Sequence, residues 1–95
     1  MKVRFTYLRF PADKVEEAKR VYNTEIAPVI RGYQGNKDVM FLQAENDQEQ
    51  FISCSIWESE KDLKAFEESQ AYGQVMGRIR ALAETAEQQY YELIP

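Results

Sequence analysis

The order in which strand and helix patterns follow one another constrains the fold of this chain more than any other feature. Residues 12–30 carry apolar side chains at helical spacing, and a second helical segment begins after Ser59. Four segments are rich in strand-forming residues, namely residues 2–10, 37–44, 50–57 and 87–94. The order βαββαβ predicts one α+β domain over residues 1–95, in which an antiparallel sheet carries both helices on one side.

Each helical segment carries a feature that predicts an interruption. Pro28 lacks the amide that would bond to the carbonyl of Thr24, so we expect the first helix to kink or end near Ala27. Gly73 and Gly77 each cost about 1 kcal/mol relative to alanine, which predicts a break near Tyr72 or Gly73. The inward stripe of the first helix is predicted to consist of Val15, Ala18, Tyr22, Ile26 and Val29.

Composition excludes several classes of protein. Twelve basic and sixteen acidic residues leave a net charge of −4, and no stripe of lysine or arginine suggests a nucleic acid partner. Arg4 and Arg9 interrupt the N-terminal segment before a signal peptide could form, and we expect no membrane span. The single cysteine, Cys54, fits a reducing cytoplasm.

The chain contains no histidine. This removes the commonest general base near neutral pH, the Ser-His and Cys-His nucleophile pairs, and the usual ligand of zinc and haem. The carboxylates are not spaced in a way that suggests a metal site. We therefore expect neither a metal nor a cofactor.

The strands are apolar on both faces, although the helices can cover only one. Examples are Phe41 and Leu42 in the second strand, and Ile52 and Trp57 in the third. An uncovered face of this kind exceeds what monomers usually expose. A second copy of the chain is the simplest cover, so we predict a homodimer that pairs sheet to sheet.

The third strand also indicates a pocket for a small molecule. On one side it places Phe51 and Trp57 around Ser53 and Ser55, whose side chains are small and hydroxylated. A space lined by aromatic rings and a few hydroxyl groups is typical of sites for small apolar or aromatic molecules.

The sequence resembles the antibiotic biosynthesis monooxygenase (ABM) family of the dimeric α/β-barrel superfamily. The resemblance covers nearly the whole chain and is carried by short motifs: "GYQG" from Gly32 to Gly35, "WES" from Trp57 to Ser59, "DLKAF" from Asp62 to Phe66, and Ser69. It implies a ferredoxin-like protomer that pairs through its sheet into a barrel, with a pocket between sheet and helices. Some members oxidise aromatic substrates with dioxygen and no cofactor, whereas others open haem. The residues of the haem-opening branch correspond here to Phe66 and Met76, so we do not expect haem cleavage.

We predict Tyr72 and Arg9 as catalytic residues. Tyr72 could donate a hydrogen bond to a substrate oxygen, and an arginine could neutralise a phenolate or enolate as it forms. Arg9 is preferred to Arg4 because it shares a face with Phe5 and Tyr7. The predicted substrate-binding residues are Trp57, Phe51, Ser53, Ser55, Phe66 and Met76. Each also has a simpler interpretation: a packed aromatic residue for Trp57 and Tyr72, and a surface residue for either arginine.

Three functions follow from this pattern. The leading hypothesis is an ABM-like monooxygenase that oxidises a small aromatic substrate with dioxygen, unaided by metal or organic cofactor. The second is a non-catalytic dimer that binds a small molecule or serves in assembly, which the absence of an acid-base pair favours. The third is a regulatory domain that senses a metabolite at the dimer seam.

Overall fold

The computed structural model describes all 95 residues, and its four strands are β1 (Lys2–Arg9), β2 (Asn36–Ala44), β3 (Asp47–Trp57) and β4 (Thr85–Glu92). They form one antiparallel sheet in the order β2-β3-β1-β4. The helices pack against one face of the sheet and enclose a single apolar core of seventeen buried residues. The predicted α+β, ferredoxin-like βαββαβ architecture is confirmed, although β4 begins and ends two residues earlier than predicted.

The first helix continues past Pro28 and does not end near Ala27, but a π-helical turn interrupts its α-helical pattern just before that residue. A short 3-10 turn (Ala12–Lys14) leads into α1 (Val15–Val21), a π-helical turn (Tyr22–Ile26) and α2 (Ala27–Arg31). In the π turn the amide of Ala27 bonds to the carbonyl of Tyr22, five residues earlier. Pro28 therefore falls in the first turn of α2, where a missing amide costs little.

The π turn also corrects the predicted inward stripe. A π turn holds one more residue than an α turn, so it rotates every later side chain around the helix axis. Ile30 is buried as a result, whereas Val29 is 39% exposed. The prediction that Val29 faces the core was wrong because it assumed an uninterrupted α-helix.

The second helical segment is divided by a serine cap, and its glycines do not break it. Ser59 begins α3 (Glu60–Glu67) by accepting a hydrogen bond from the amide of Asp62, as predicted. The break lies at Ser69, which caps α4 (Gln70–Leu82) through the amide of Tyr72. A Cβ atom at Gly73 or Gly77 would meet nothing within 4 Å, so both glycines lie on the open side of an unbroken helix.

The sheet face that the helices leave uncovered is apolar. Phe5 and Tyr91 pack there with their ring centroids 5.2 Å apart, beside Ile52 and the buried Cys54. Near them, Met40 and Leu42 are 40% and 48% exposed. We call this the open face of the sheet. None of the helices combines the length and apolar character needed to cross a bilayer.

Candidate functional site

A row of buried polar side chains lies between the sheet and the helices. Alternation along β1 directs Arg4 and Thr6 to the helix side, and alternation along β3 does the same for Ser53 and Ser55. All four residues are buried. Buried polar groups need partners, so this row sets the chemistry of the interior.

The row borders a small internal cavity of about 10 Å³. Its lining comes from β1, β3, the first helix and α4: Arg4, Thr6, Leu8, Tyr22, Ile26, Ile30, Ser53, Val75, Met76 and Ile79. The Tyr22 hydroxyl is hydrogen-bonded to Ser53 Oγ, and burial raises the pKa of Tyr22 above its ordinary value. A space of this size holds about one water molecule, so a larger ligand must displace side chains to enter.

Arg4 is the one charged residue that lines this cavity. Its Nη1 donates to Glu67 Oε2 at 3.0 Å, and its guanidinium carbon lies 5.1 Å from the centroid of the Tyr72 ring. Its Nε is buried and has no hydrogen-bond partner in the protein. An unpaired buried donor costs about 1–3 kcal/mol, so such a group marks a place where a partner is missing.

A set of hydrogen bonds surrounds the Arg4 guanidinium. The Tyr90 hydroxyl donates to Glu67 Oε2, and Gln88 Nε2 donates to the Tyr72 hydroxyl at 2.7 Å. Burial, reinforced by the hydrogen bond to the Glu67 carboxylate, raises the pKa of Tyr90 to about 12. Because Tyr72 accepts from Gln88, its own proton stays available to a bound molecule.

Trp57 lies in the core, behind the site. It is fully buried, its Nε1 donates to Ser55 Oγ at 2.9 Å, and its ring stacks on Phe66 with centroids 5.0 Å apart. Phe66 in turn contacts the Tyr72 ring at 5.3 Å and lies beneath Arg4 at 5.8 Å. Trp57, Ser55 and Phe66 thus form one packed layer that supports Arg4 and Tyr72.

The remaining predicted binding residues are divided between two places. Ser53 and Met76 line the cavity beside Arg4. Phe51 lies in a separate aromatic cluster, 5.4 Å from the Phe10 ring and 4.8 Å from the Phe41 ring. The structure therefore brings Ser53 and Met76 to the cavity but places Phe51 in the core.

The structure separates Arg9 from the predicted site. Arg9 lies on the open face of the sheet, where it forms ion pairs with Asp47 and Glu49. The contact with Arg9 lowers the pKa of Asp47 below its ordinary value. The face shared with Phe5 and Tyr7, on which the choice of Arg9 depended, is the one that the helices do not cover. The arginine that packs against the Tyr72 ring is therefore Arg4 and not Arg9.

Sequence reasoning did not find several residues of the site. Arg4 shares a side of β1 with Leu8 and Phe10, but the other side carries Val3, Phe5 and Tyr7, so alternation alone did not show which side faces the core. Glu67 gave no signal, since its position in "EE" is typical of a solvated helix face. No group of three histidine, cysteine, aspartate or glutamate side chains converges in the structure.

Solved structures with the same fold come from several bacteria. A protein of Deinococcus radiodurans classed as an antibiotic biosynthesis monooxygenase is 14% identical, with a TM-score of 0.89 over 100% of this chain and 94% of its own. A protein of Nitrosomonas europaea in the same class is 23% identical, with a TM-score of 0.84 over the full length of both chains. SnoaB, a cofactor-independent oxygenase from Streptomyces nogalater, is 14% identical, with a TM-score of 0.84 over 97% of this chain and 92% of its own.

At these identities the likeness to solved structures establishes the fold alone. No curated protein matches the sequence. The family model for antibiotic biosynthesis monooxygenases, however, matches residues 1–78, which is most of the chain. The protein therefore belongs to the antibiotic biosynthesis monooxygenase family.

Proposed function

We propose that this protein is a monooxygenase that oxidises a small phenolic or enolic aromatic molecule with dioxygen, without a metal or an organic cofactor. The observation that carries the proposal is the buried Arg4, which lines the cavity, has an Nε without a partner, and lies against the Tyr72 ring. Family membership supports the reaction class. The similar fold of SnoaB, described as a cofactor-independent oxygenase, supports the absence of a cofactor.

The reaction balances without an external reductant. A substrate whose methylene is conjugated with a ketone, as in an anthrone, loses a proton to water and forms an enolate. The carbanion carbon of this enolate gives electrons to dioxygen, and a hydroperoxide forms at that carbon. Loss of water from the hydroperoxide leaves a carbonyl group. One oxygen atom enters the substrate and the other leaves as water, and all electrons come from the two C–H bonds.

Arg4 and Tyr72 have separate roles in this proposal. The Arg4 Nε–H donates to the developing oxyanion, and a buried guanidinium stabilises such a charge more strongly than water does. The Tyr72 hydroxyl donates to a second substrate oxygen and so orients the ring. The packed layer of Trp57, Ser55 and Phe66 keeps both groups in place.

The cavity has to enlarge before such a substrate fits. Met76, which has three flexible torsions, lines the cavity, and the half-buried Tyr72 lies against Arg4. Both belong to α4, whose outer side carries Gly73 and Gly77. We therefore assign the opening movement to α4.

The same proposal includes a homodimer that pairs through the open face of the sheet, and a location in the cytoplasm. Met40, Leu42, Tyr91 and Leu93 are each 40–48% exposed and lie on or beside that face. Covering apolar surface of this kind favours association by about 25 cal/mol per Å² before the entropy of association is subtracted. The lone Cys54 is buried in the same face and fits a reducing compartment.

Oxygen uptake with an anthrone-type substrate tests the function. We expect the wild-type protein, freed of metals by dialysis against a chelator, to consume dioxygen and yield the quinone. Replacing Arg4 with glutamine should lower kcat/KM by about 10²–10³, the usual effect of losing one oxyanion donor. Arg9→Gln is the matched comparison on the other face of the sheet and should retain activity within about twofold, since surface changes are usually small.

Each other outcome has a definite meaning. Loss of activity in Arg9→Gln but not in Arg4→Gln would support the arginine chosen from sequence. Tight binding of the aromatic compound with no oxygen consumption would support the non-catalytic binding protein instead. Thermal unfolding of each variant shows whether a loss reflects chemistry or folding.

A further inference from the structure

Arg4 connects two spaces, the internal cavity and a groove on the outside. The groove has a volume of about 310 Å³ and is lined by Lys2, Glu60, Leu63, Lys64, Glu67 and Tyr90. Glu67 belongs to this groove, yet its Oε2 accepts the hydrogen bond from Arg4 Nη1. The Arg4–Glu67 ion pair therefore forms part of the wall between groove and cavity.

We infer that the buried Arg4 makes the site selective for ligands with an ionised oxygen, which takes the place of Glu67 on the guanidinium. This inference rests on the proposed function and extends it to the choice of substrate. The Arg4 side chain is only 3% exposed, so its charge cannot be left without a counter-charge. A neutral aromatic molecule that entered from the groove would have to separate the ion pair with no replacement for it.

An anionic oxygen avoids this penalty. It replaces the carboxylate on Nη1, so the buried guanidinium keeps a counter-charge. The new contact is itself a charge-assisted hydrogen bond, which a neutral ligand cannot offer. Lys2 and Lys64 at the groove add positive charge along the entry path, although Lys2 also pairs with Glu60 and Glu92.

The displaced Glu67 side chain keeps partners of its own. The Tyr90 hydroxyl donates to the same Oε2, and Tyr90 stands at the groove with 45% of its surface exposed. Glu67 itself is 21% exposed and can turn towards water. The charged and titratable groups that face it are Arg4 and Lys2 from β1, Tyr90 from β4, and Glu60 and Lys64 from its own helix. The exchange therefore strands no charge in the interior.

Binding of a matched pair of probes tests this inference without any oxidation. The pair is 1-naphthoate, which is anionic, and 1-naphthamide, which has nearly the same shape and no charge, and calorimetry measures both affinities. We expect wild-type protein to bind naphthoate at least about tenfold more tightly than naphthamide, the effect of one charge-assisted hydrogen bond. In Glu67→Gln the affinity for naphthoate should rise by about tenfold, because no carboxylate competes for Arg4 or repels the bound anion, whereas naphthamide, which gains only the loss of competition, should bind less than about threefold more tightly.

Two further variants complete the test. Tyr90→Phe removes one hydrogen bond that holds Glu67 and should raise the affinity for naphthoate by about threefold. Because Tyr90 is exposed, we expect Tyr90→Phe to fold normally, and its affinity for naphthoate tests the inference even if Glu67→Gln fails to fold. Glu68→Gln removes the neighbouring exposed carboxylate and is the matched control, which should leave both affinities unchanged.

Weaker binding of naphthoate by Glu67→Gln, an equal gain for both probes, or the same gain in Glu68→Gln would overturn the inference. Its failure can be told from failure of the proposed function. Anion selectivity without oxygen consumption would refute only the oxidation, whereas oxidation without anion selectivity would refute only the exchange of Glu67 for the ligand on Arg4.

Discussion

Gly35 offers the sharpest test of how the chain joins its first helix to the sheet. It lies between α2 and β2 with φ +88°, in the left-handed region that glycine tolerates best. A Cβ atom built on it would lie 2.3–2.5 Å from three atoms of Asp62: Cγ, Cβ and Oδ2. Asp62 in turn accepts a hydrogen bond from Ser59, the residue that caps α3.

Replacing Gly35 with alanine therefore has two costs. An L-residue in the left-handed region costs about 1–2 kcal/mol. Displacing Asp62 disturbs the cap of α3, which costs about 1 kcal/mol more. The expected loss of unfolding free energy is about 2–3 kcal/mol, which for a domain of this size lowers Tm by roughly 10–20 °C.

Urea and thermal unfolding, followed by circular dichroism, measure this loss. Gly77→Ala is the control: its Cβ meets nothing within 4 Å, so it should raise stability by about 1 kcal/mol through helix propensity alone. In an Asp62→Gly background, which lacks all three of the Asp62 atoms near the new Cβ, the additional cost of Gly35→Ala should fall to the backbone part of about 1–2 kcal/mol. A loss below about 1 kcal/mol for Gly35→Ala, or destabilisation by Gly77→Ala, would refute the reasoning.

Three further predictions concern the interior and the open face. Tyr90 should ionise near pH 12, above the ordinary value of a tyrosine, in a spectrophotometric titration compared with Tyr90→Phe. Because the folded-state pKa is raised, its contribution to stability is complete below the unfolded pKa of about 10 and is lost as the pH rises towards 12. Tyr22→Phe leaves Ser53 without its partner and should cost about 1–3 kcal/mol in urea unfolding, less if Ser53→Ala is already present. Leu42→Arg should turn a dimer into a monomer in sedimentation, and a wild-type protein that sediments as a monomer at micromolar concentration would contradict the proposed pairing.

Local patterns were enough to predict the architecture. Alternation and helical spacing depend on near neighbours, and the order of the four strands and the helices follows from them. The serine that begins α3 was also predictable, since Ser59 and Asp62 interact three residues apart. The prediction of which helix residues face the core failed after the π turn, because its extra residue rotates all later side chains around the helix axis. Ile30 is therefore buried in place of Val29.

The residues of the site could be predicted only in part. Alternation placed Ser53 on the same side of β3 as Trp57, and both lie on the helix side of the sheet. It could not say which side of β1 the helices cover, so Arg9 was preferred to Arg4. The partners of Arg4 come from α3, α4 and β4, between 63 and 86 residues along the chain, and no local pattern joins them.

By itself, then, the sequence determined an α+β protein of the ABM family with strands that are apolar on both faces, because those properties depend on residues close together in the chain. Only the tertiary structure decided that Trp57 is a core residue, that Arg4 is buried with an unused donor, and that Glu67 and Tyr90 surround it. A buried charge is defined by what encloses it from every side, and that enclosure exists only after distant segments have packed together.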